Sequence, residues 1–309
     1  MPGRGGQDHP EGRAALPGLA AKEEPMSGYV LCQVKKAERP YYIENISTNI
    51  YSIEELCFYL YNNIYLLDST ILGEELCFWI RDELGLKKLA AKLYALLDQE
   101  PVKAGDFILP IFKEINYLSL EEFRKLNQRI QRLAQEPEAL RQKMKGDYLM
   151  EHSKYVNAIR IYQKALGVRL SEQEEKQLGS QFAGEIYHNM GCAYVRLFQM
   201  EEAEACFEKA YGYLHTMTVI RSLLCALYME KGQEAFEKRA EELGLQEAQK
   251  EQLLDQIRRE EQQLYETAEG RKVRQAMEKK AEGKPEEYRK MMEEILKQLA
   301  SEYHRSTGY

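Results

Sequence analysis

The chain has 309 residues, 44% apolar and 30% charged, with a formal net charge of −7 and a pI near 5.5. That length accommodates two domains with a substantial core, and charges of both signs spread along periodic segments are the composition of a soluble helical protein. Net negative charge repels phosphate, no apolar run approaches the roughly 18 to 20 residues that span a bilayer, and the N-terminus lacks a signal-peptide h-region, so a cytoplasmic protein is expected, with no membrane insertion and no general attraction for nucleic acid.

Residues 1–25 are rich in Gly, Pro and Ala and lack periodicity, so they cannot bury enough surface to offset their ordering entropy. They read as a disordered or mis-annotated extension, with Met26 as the expected start. A helical domain with an N-terminal β-hairpin is expected over 26–135. The runs YVLCQV and PYYIENI flank the polar link KKAER, which reads as the hairpin turn, and Pro40 suits the first residue of a strand. From Ser52 onward the pattern is helical. Ser52 and Glu55 form a capping-box signature, followed by Ile53, Leu56, Cys57, Leu60, Ile64 and Leu67 at helical spacing.

The wording EELCFYL (54–60) returns as EELCFWI (74–80). The glutamates fall near helix N-termini, where the dipole favours negative charge, and the cysteines fall on or beside the apolar stripe, so a structural role is expected. Gly85 fits the left-handed residue that ends the second helix. Leu86, Leu89, Ala90, Leu93 and Leu97 mark a third. Asp106–Asn116 reads as a shorter helix interrupted or tilted by Pro110, and Ser119 with Glu122 caps one that runs to about Ala134.

Beyond this domain the chain is self-similar. Gly146 is followed twelve positions later by Ala158, then Tyr162 and Ala165; Gly191 is followed twelve later by Ala203, then Phe207 and Ala210. The spacing places glycine and the first alanine on facing helices of one hairpin, with the aromatic and second alanine packing toward the next. This register resembles the tetratricopeptide repeat: in the second copy Tyr187, Met190, Gly191, Tyr194, Ala203, Phe207 and Ala210 match, while His215 replaces the family's proline. In the first copy Lys145 stands for the family's leucine and Leu149 for its tyrosine. RLSEQEEKQLGSQF is an insertion between the copies. A third unit, VIRSLLCALYMEKGQEAFEKRAEELGL, keeps Tyr228 but has Cys225 for glycine. The resemblance covers roughly 139–245, within a repeat domain expected at 136–245, and implies an all-α fold: an α-solenoid preceded by the helical domain with its small β-hairpin.

In such a repeat the first helix lines a concave groove. The resemblance therefore implies a partner-binding face of Lys143, Asp147, Met150, Glu151, Glu185, His188, Asn189, Cys192, Val195 and Arg196, of mixed charge, of which Lys143, Asp147, Glu185 and Arg196 project from first helices and are expected to support no packing. Chaperone-binding members of the family hold a C-terminal carboxylate in a clamp. Lys143 and Asn189 match two clamp positions, but Asp147 replaces an asparagine and would repel a carboxylate, while Val219 and Leu223 occupy the third-repeat positions. His188 and Cys192 share a face, being four apart, without a third ligand nearby, so no metal is expected. The six cysteines show no CxxC and are expected as free thiols.

Residues 246–309 read as charged helices and a solenoid cap. Leu253, Ile257, Leu264, Tyr265 and Ala268 form a thin stripe, and RKVRQAMEKKAEGK is basic solvated helix. The last helix starts at Pro285 and carries Tyr288, Met291, Met292, Ile295, Leu299 and Tyr303 as its apolar face. No phosphate loop, GxSxG or HExxH occurs, so neither an enzyme nor a cofactor is expected. The expected function is a protein interaction scaffold, adaptor or chaperone-like assembly factor holding a peptide or helix. The alternative is a regulatory protein whose hairpin, with Lys35, Lys36, Arg39 and seven tyrosines between Tyr29 and Tyr65, contacts nucleic acid by charge and stacking.

Overall fold

The computed structural model describes residues 35–68, 70–98 and 103–307, with side chains to residue 304. The run YVLCQV, the 1–25 extension and Cys32 lie outside the described residues. The run PYYIENI does supply a strand, β1 (Tyr41–Ile43), but among the described residues it pairs with β2 (Thr48–Ile50), antiparallel with Tyr41 opposite Ile50. The turn of this hairpin therefore falls at Glu44–Ser47, and the expected pairing with YVLCQV lies outside the described residues. A 3-10 turn over Glu44–Ile46 ends on Ser47, whose short side chain tolerates the left-handed backbone at φ 52°. Tyr41, Ile43 and Ile50 point inward, and the Trp79 indole N–H donates to the Arg39 carbonyl at 2.8 Å, fastening the hairpin to the helices.

Among the described residues five α-helices complete this domain: α1 (Ile53–Asn62), α2 (Glu74–Asp82), α3 (Lys87–Leu97), α4 (Ala104–Glu114) and α5 (Leu120–Gln135). Ser52 caps α1 by accepting the Glu55 N–H at 3.1 Å, while the Glu55 carboxylate takes the Tyr51 N–H in place of the N-cap's own. Ser119 and Glu122 form the full reciprocal box on α5. Gly85 is left-handed, φ +72°, as a helix terminator requires. Pro110 does not interrupt its helix: α4 runs through it because Phe107, Ile108, Ile111 and Phe112 are buried on both sides of the missing hydrogen bond. Cys57 and Cys77 are buried free thiols in the same core.

After Pro137 the chain forms successive antiparallel hairpins: α6 (Glu138–Glu151) with α7 (Tyr155–Gly167), α9 (Phe182–Arg196) with α10 (Met200–Leu214), and α11 (Met217–Lys231) with α12 (Gln233–Glu242). The insertion becomes a short helix, α8 (Glu172–Leu178), capped by Ser171 and Glu174. Each hairpin packs on the next, so α7 meets α9 and α10 meets α11. The glycines are the close-approach points. A Cβ on Gly146 would lie 2.5 Å from the Tyr162 ring, and one on Gly191 2.5 Å from the Phe207 ring. The aromatic, rather than the first alanine, therefore lies across its own hairpin's glycine. It also reaches the next hairpin, since Tyr162 shares a core with Ile186 and Met190, and Phe207 with Ile220 and Leu223.

The chain ends in α13 (Glu247–Glu266), α14 (Ala268–Ala281) and α15 (Pro285–Thr307). Leu253 and Ile257 join the third hairpin's core, but the stripe expected to continue through Leu264 and Tyr265 is exposed. In α15 the apolar face is half-buried from Tyr288 to Ile295, whereas Leu299 and Tyr303 are exposed; the helix packs on α14 and meets α7. No helix among the described residues is long and apolar enough to cross a membrane.

Candidate partner-binding groove

The first helices α6, α9 and α11 lie side by side, because each hairpin stacks in the same sense on its predecessor. That brings the residues expected on one face together, but not as a set of free side chains. The Asp147 carboxylate is a hub: Oδ1 accepts the Tyr162 hydroxyl at 2.6 Å and the Asn189 amide at 2.9 Å, and Oδ2 accepts Lys143 Nζ at 3.0 Å. Lys143 also reaches Glu185 at 3.5 Å. The Lys143 and Asp147 side chains are only 14% and 18% exposed. Burial, reinforced by the Asp147 charge and hydrogen bond, raises the Tyr162 phenol far above its ordinary range, so it remains a donor.

The expectation that Lys143 and Asp147 support no packing is therefore corrected, and Asn189 takes part in the same network. With Tyr162 they join α6, α7 and α9, and the three bonds to the Asp147 carboxylate are charge-assisted. Lys143 and Asn189, the two donors that match clamp positions, are both taken by Asp147.

His188 likewise looks inward, its Nε2 lying 3.1 Å from Ser222 Oγ on α11 and its ring 5.5 Å from that of Phe207. Burial lowers its pKa, so the imidazole is neutral at pH 7. Burial also pushes the Cys192 thiol up to about 11, outweighing the nearby Arg196 charge, and leaves it protonated and inert. Met150 and Val195 are half-buried against neighbouring cores. Glu151, Glu185 and Arg196 remain as the exposed charges of the set, with Glu185 held loosely by Lys143.

Two partners escaped the reading of the sequence. Tyr162 carries a repeat-packing signature that hides its hydroxyl's role. Asp68 pairs with Lys145 across 77 residues, a separation at which no local pattern exists. Burial alone would raise the Asp68 carboxyl, but the Lys145 ammonium and hydrogen bonds from Lys145 and Thr70 hold it below the usual carboxylate range. Around this pair the Tyr148 hydroxyl donates to Asn63 Oδ1 at 2.7 Å and to the Asn62 carbonyl at 3.1 Å. Leu66 is buried within the first hairpin's own core. The N-terminal domain thus packs on α6, where Asp68 is the neighbour of Lys145.

No family model, curated protein or solved structure matches this chain.

Proposed function

We propose that this chain is a non-catalytic, cytoplasmic protein interaction scaffold built on tetratricopeptide-like hairpins, an adaptor or assembly factor that holds a peptide or helix of a partner protein along α9 and its neighbours. The observation that carries the reading is the division of labour on the first helices. The network around Asp147 fixes α6 to α9, while Glu151, Glu185 and Arg196 stay exposed along the rigid face it creates. A pre-organised surface of mixed charge suits a partner segment that is itself of mixed charge.

Charges on the N-terminal hairpin are engaged locally: Lys35 with Glu38, Arg39 with Glu83, and Lys36 over the Tyr51 ring at 4.9 Å. That weakens the case for phosphate contacts there. The test is affinity capture from a native cytoplasm with wild type and with the triple variant Glu151→Lys/Glu185→Lys/Arg196→Glu. Loss of the same specific partner at unchanged helical content is the expected result; retention of that partner at equal affinity would remove this face as the working surface.

A further inference from the structure

The turns inside the three hairpins are built alike, and one of them carries a side chain that the turn does not need. Ser153, Phe198 and Gly232 each stand seven residues after the close-approach position of their hairpin, occupied by Gly146, Gly191 and Cys225 in turn. All three are left-handed, with φ 57°, 57° and 82°. A short polar side chain or a glycine suits that backbone, whereas a bulky one is strained in it. Phe198 is also 78% exposed, so its ring adds strain and apolar exposure to a turn that the sibling hairpins make without it. Strain and exposure held at one residue point to a contact outside the turn.

Phe198 stands at one end of a row of features along a single edge. Lys231, at the turn of the third hairpin, bonds Glu204 on α10 at 2.6 Å, and Gln233 just past that turn accepts from Arg258 on α13 at 3.3 Å. At the other end of the row α13 and α14 enclose an open pocket of about 930 Å³. Its apolar wall is Tyr265, Val273 and Met277, and its charges are Arg259 and Arg274 against Glu266, which pairs with Arg274 at 3.4 Å. The knob is bordered oppositely, by exposed Glu201 and Glu202 against Arg196. A ring flanked by surplus acid therefore has, on the same chain, an apolar pocket flanked by surplus base. Phe198 does not line that pocket within one molecule, because α11 and α12 stand between them.

We propose that the chain forms a two-fold dimer in which Phe198 of each copy fills the pocket between α13 and α14 of the other. Two copies laid edge to edge in opposite directions bring each knob to a pocket, and the two contacts form together, as a two-fold axis requires. Inside the pocket the ring meets the Tyr265 ring and the Met277 thioether, both favourable neighbours of an aromatic side chain. Glu201 and Glu202 border Arg259, a rim pairing that sets orientation more than affinity. The dimer makes no use of Glu151 or Glu185 and does not rest on a partner held along α9.

The test is sedimentation equilibrium on the full chain over a concentration series. Wild type is expected to fit a monomer–dimer equilibrium. Phe198→Gly, which lacks the knob, and Met277→Glu, which blocks the pocket, should each raise the dimer dissociation constant at least about thirtyfold at unchanged helical content, as loss of a central anchor does. A mixture of these two variants should associate more tightly than either alone, because one intact knob meets one intact pocket. Glu201→Arg/Glu202→Arg and Arg259→Glu should each weaken the dimer, and the two sets combined in one chain should recover part of the loss. At a dilution where both are monomeric, Phe198→Gly should melt higher than wild type, which separates the ring's role in association from its effect on its own turn. The proposal is overturned if wild type stays monomeric throughout the series or assembles beyond a dimer, if either single variant dimerises as wild type does, if the mixture gains no association, if the charge reversals are simply additive, or if monomeric Phe198→Gly melts lower than monomeric wild type.

Discussion

The hairpins α6/α7 and α9/α10 carry one skeleton at an offset of 45 residues: Gly146, Ala158, Tyr162 and Ala165 against Gly191, Ala203, Phe207 and Ala210, all buried. At the same offset the outward positions diverge, Lys145 against Met190, Asp147 against Cys192, and Ser153 against Phe198. The shared residues are those that pack within a hairpin, where a ring must lie on a glycine. The divergent ones answer to neighbours. Met190 packs against the first hairpin's core, whereas Lys145 meets a carboxylate of the N-terminal domain. In a stacked array the skeleton defines the unit, and departures from it mark what the unit touches.

The severest way to break the comparison is at the shared glycine. Gly191→Leu places side-chain atoms inside the Phe207 ring's space and is expected to destabilise by about 3 kcal/mol or more, while Cys192→Ser beside it should cost about 1 kcal/mol. Urea denaturation followed by circular dichroism would separate them, and equal losses would mean that the ring-on-glycine contact does not define the hairpin. Next comes Asp147→Lys, which removes three accepted hydrogen bonds and adds charge beside Lys143. A loss of about 2 kcal/mol is expected, against within about 0.5 kcal/mol for Arg196→Glu on the exposed side.

A smaller effect, of opposite sign, is expected at the turns. Ser153 and Phe198 both adopt left-handed backbone, φ 57° each, and Phe198 is 78% exposed. Glycine takes that conformation without the Cβ penalty, so Phe198→Gly should stabilise by about 1 kcal/mol, read as a raised melting temperature. The smallest effect is titration of His188. Its folded pKa is lowered, so its contribution is complete above the ordinary value near 6.5 and is lost as pH falls from there through the folded value, because the unfolded chain takes the proton first. Between pH 7.5 and 5 the melting temperature of wild type should fall further than that of His188→Gln. Parallel curves would place His188 in solvent.

The helices were largely legible because their signals are local. Capping pairs such as Ser119 with Glu122, left-handed Gly85 and the glycine-to-aromatic register act within one or two turns or one hairpin. The β1–β2 pairing was missed because its turn, Glu44–Ser47, contains no glycine, and the polar KKAER reads as a turn instead. The face on α6 and α9 was found as a face, but Lys143, Asp147 and Asn189 could not be recognised as structural, since that depends on the Tyr162 hydroxyl crossing from α7. The exposure of Leu299 and Tyr303 near the end of α15 was not legible either, because an apolar stripe records a helix's capacity for burial and not what packs against it.

Whether the first hairpin's departures encode docking of the N-terminal domain is tested most directly by a double-mutant cycle on Asp68 and Lys145, measured by urea denaturation. The Lys145 side chain is 6% exposed and that of Asp68 40%, so Asp68→Ala strands the more buried charge and should cost about 2 kcal/mol, reduced from the fully buried case by solvent screening at Asp68. Lys145→Leu added to it should recover most of that loss, giving a coupling energy of about 1 kcal/mol or more. Strictly additive losses would contradict the account.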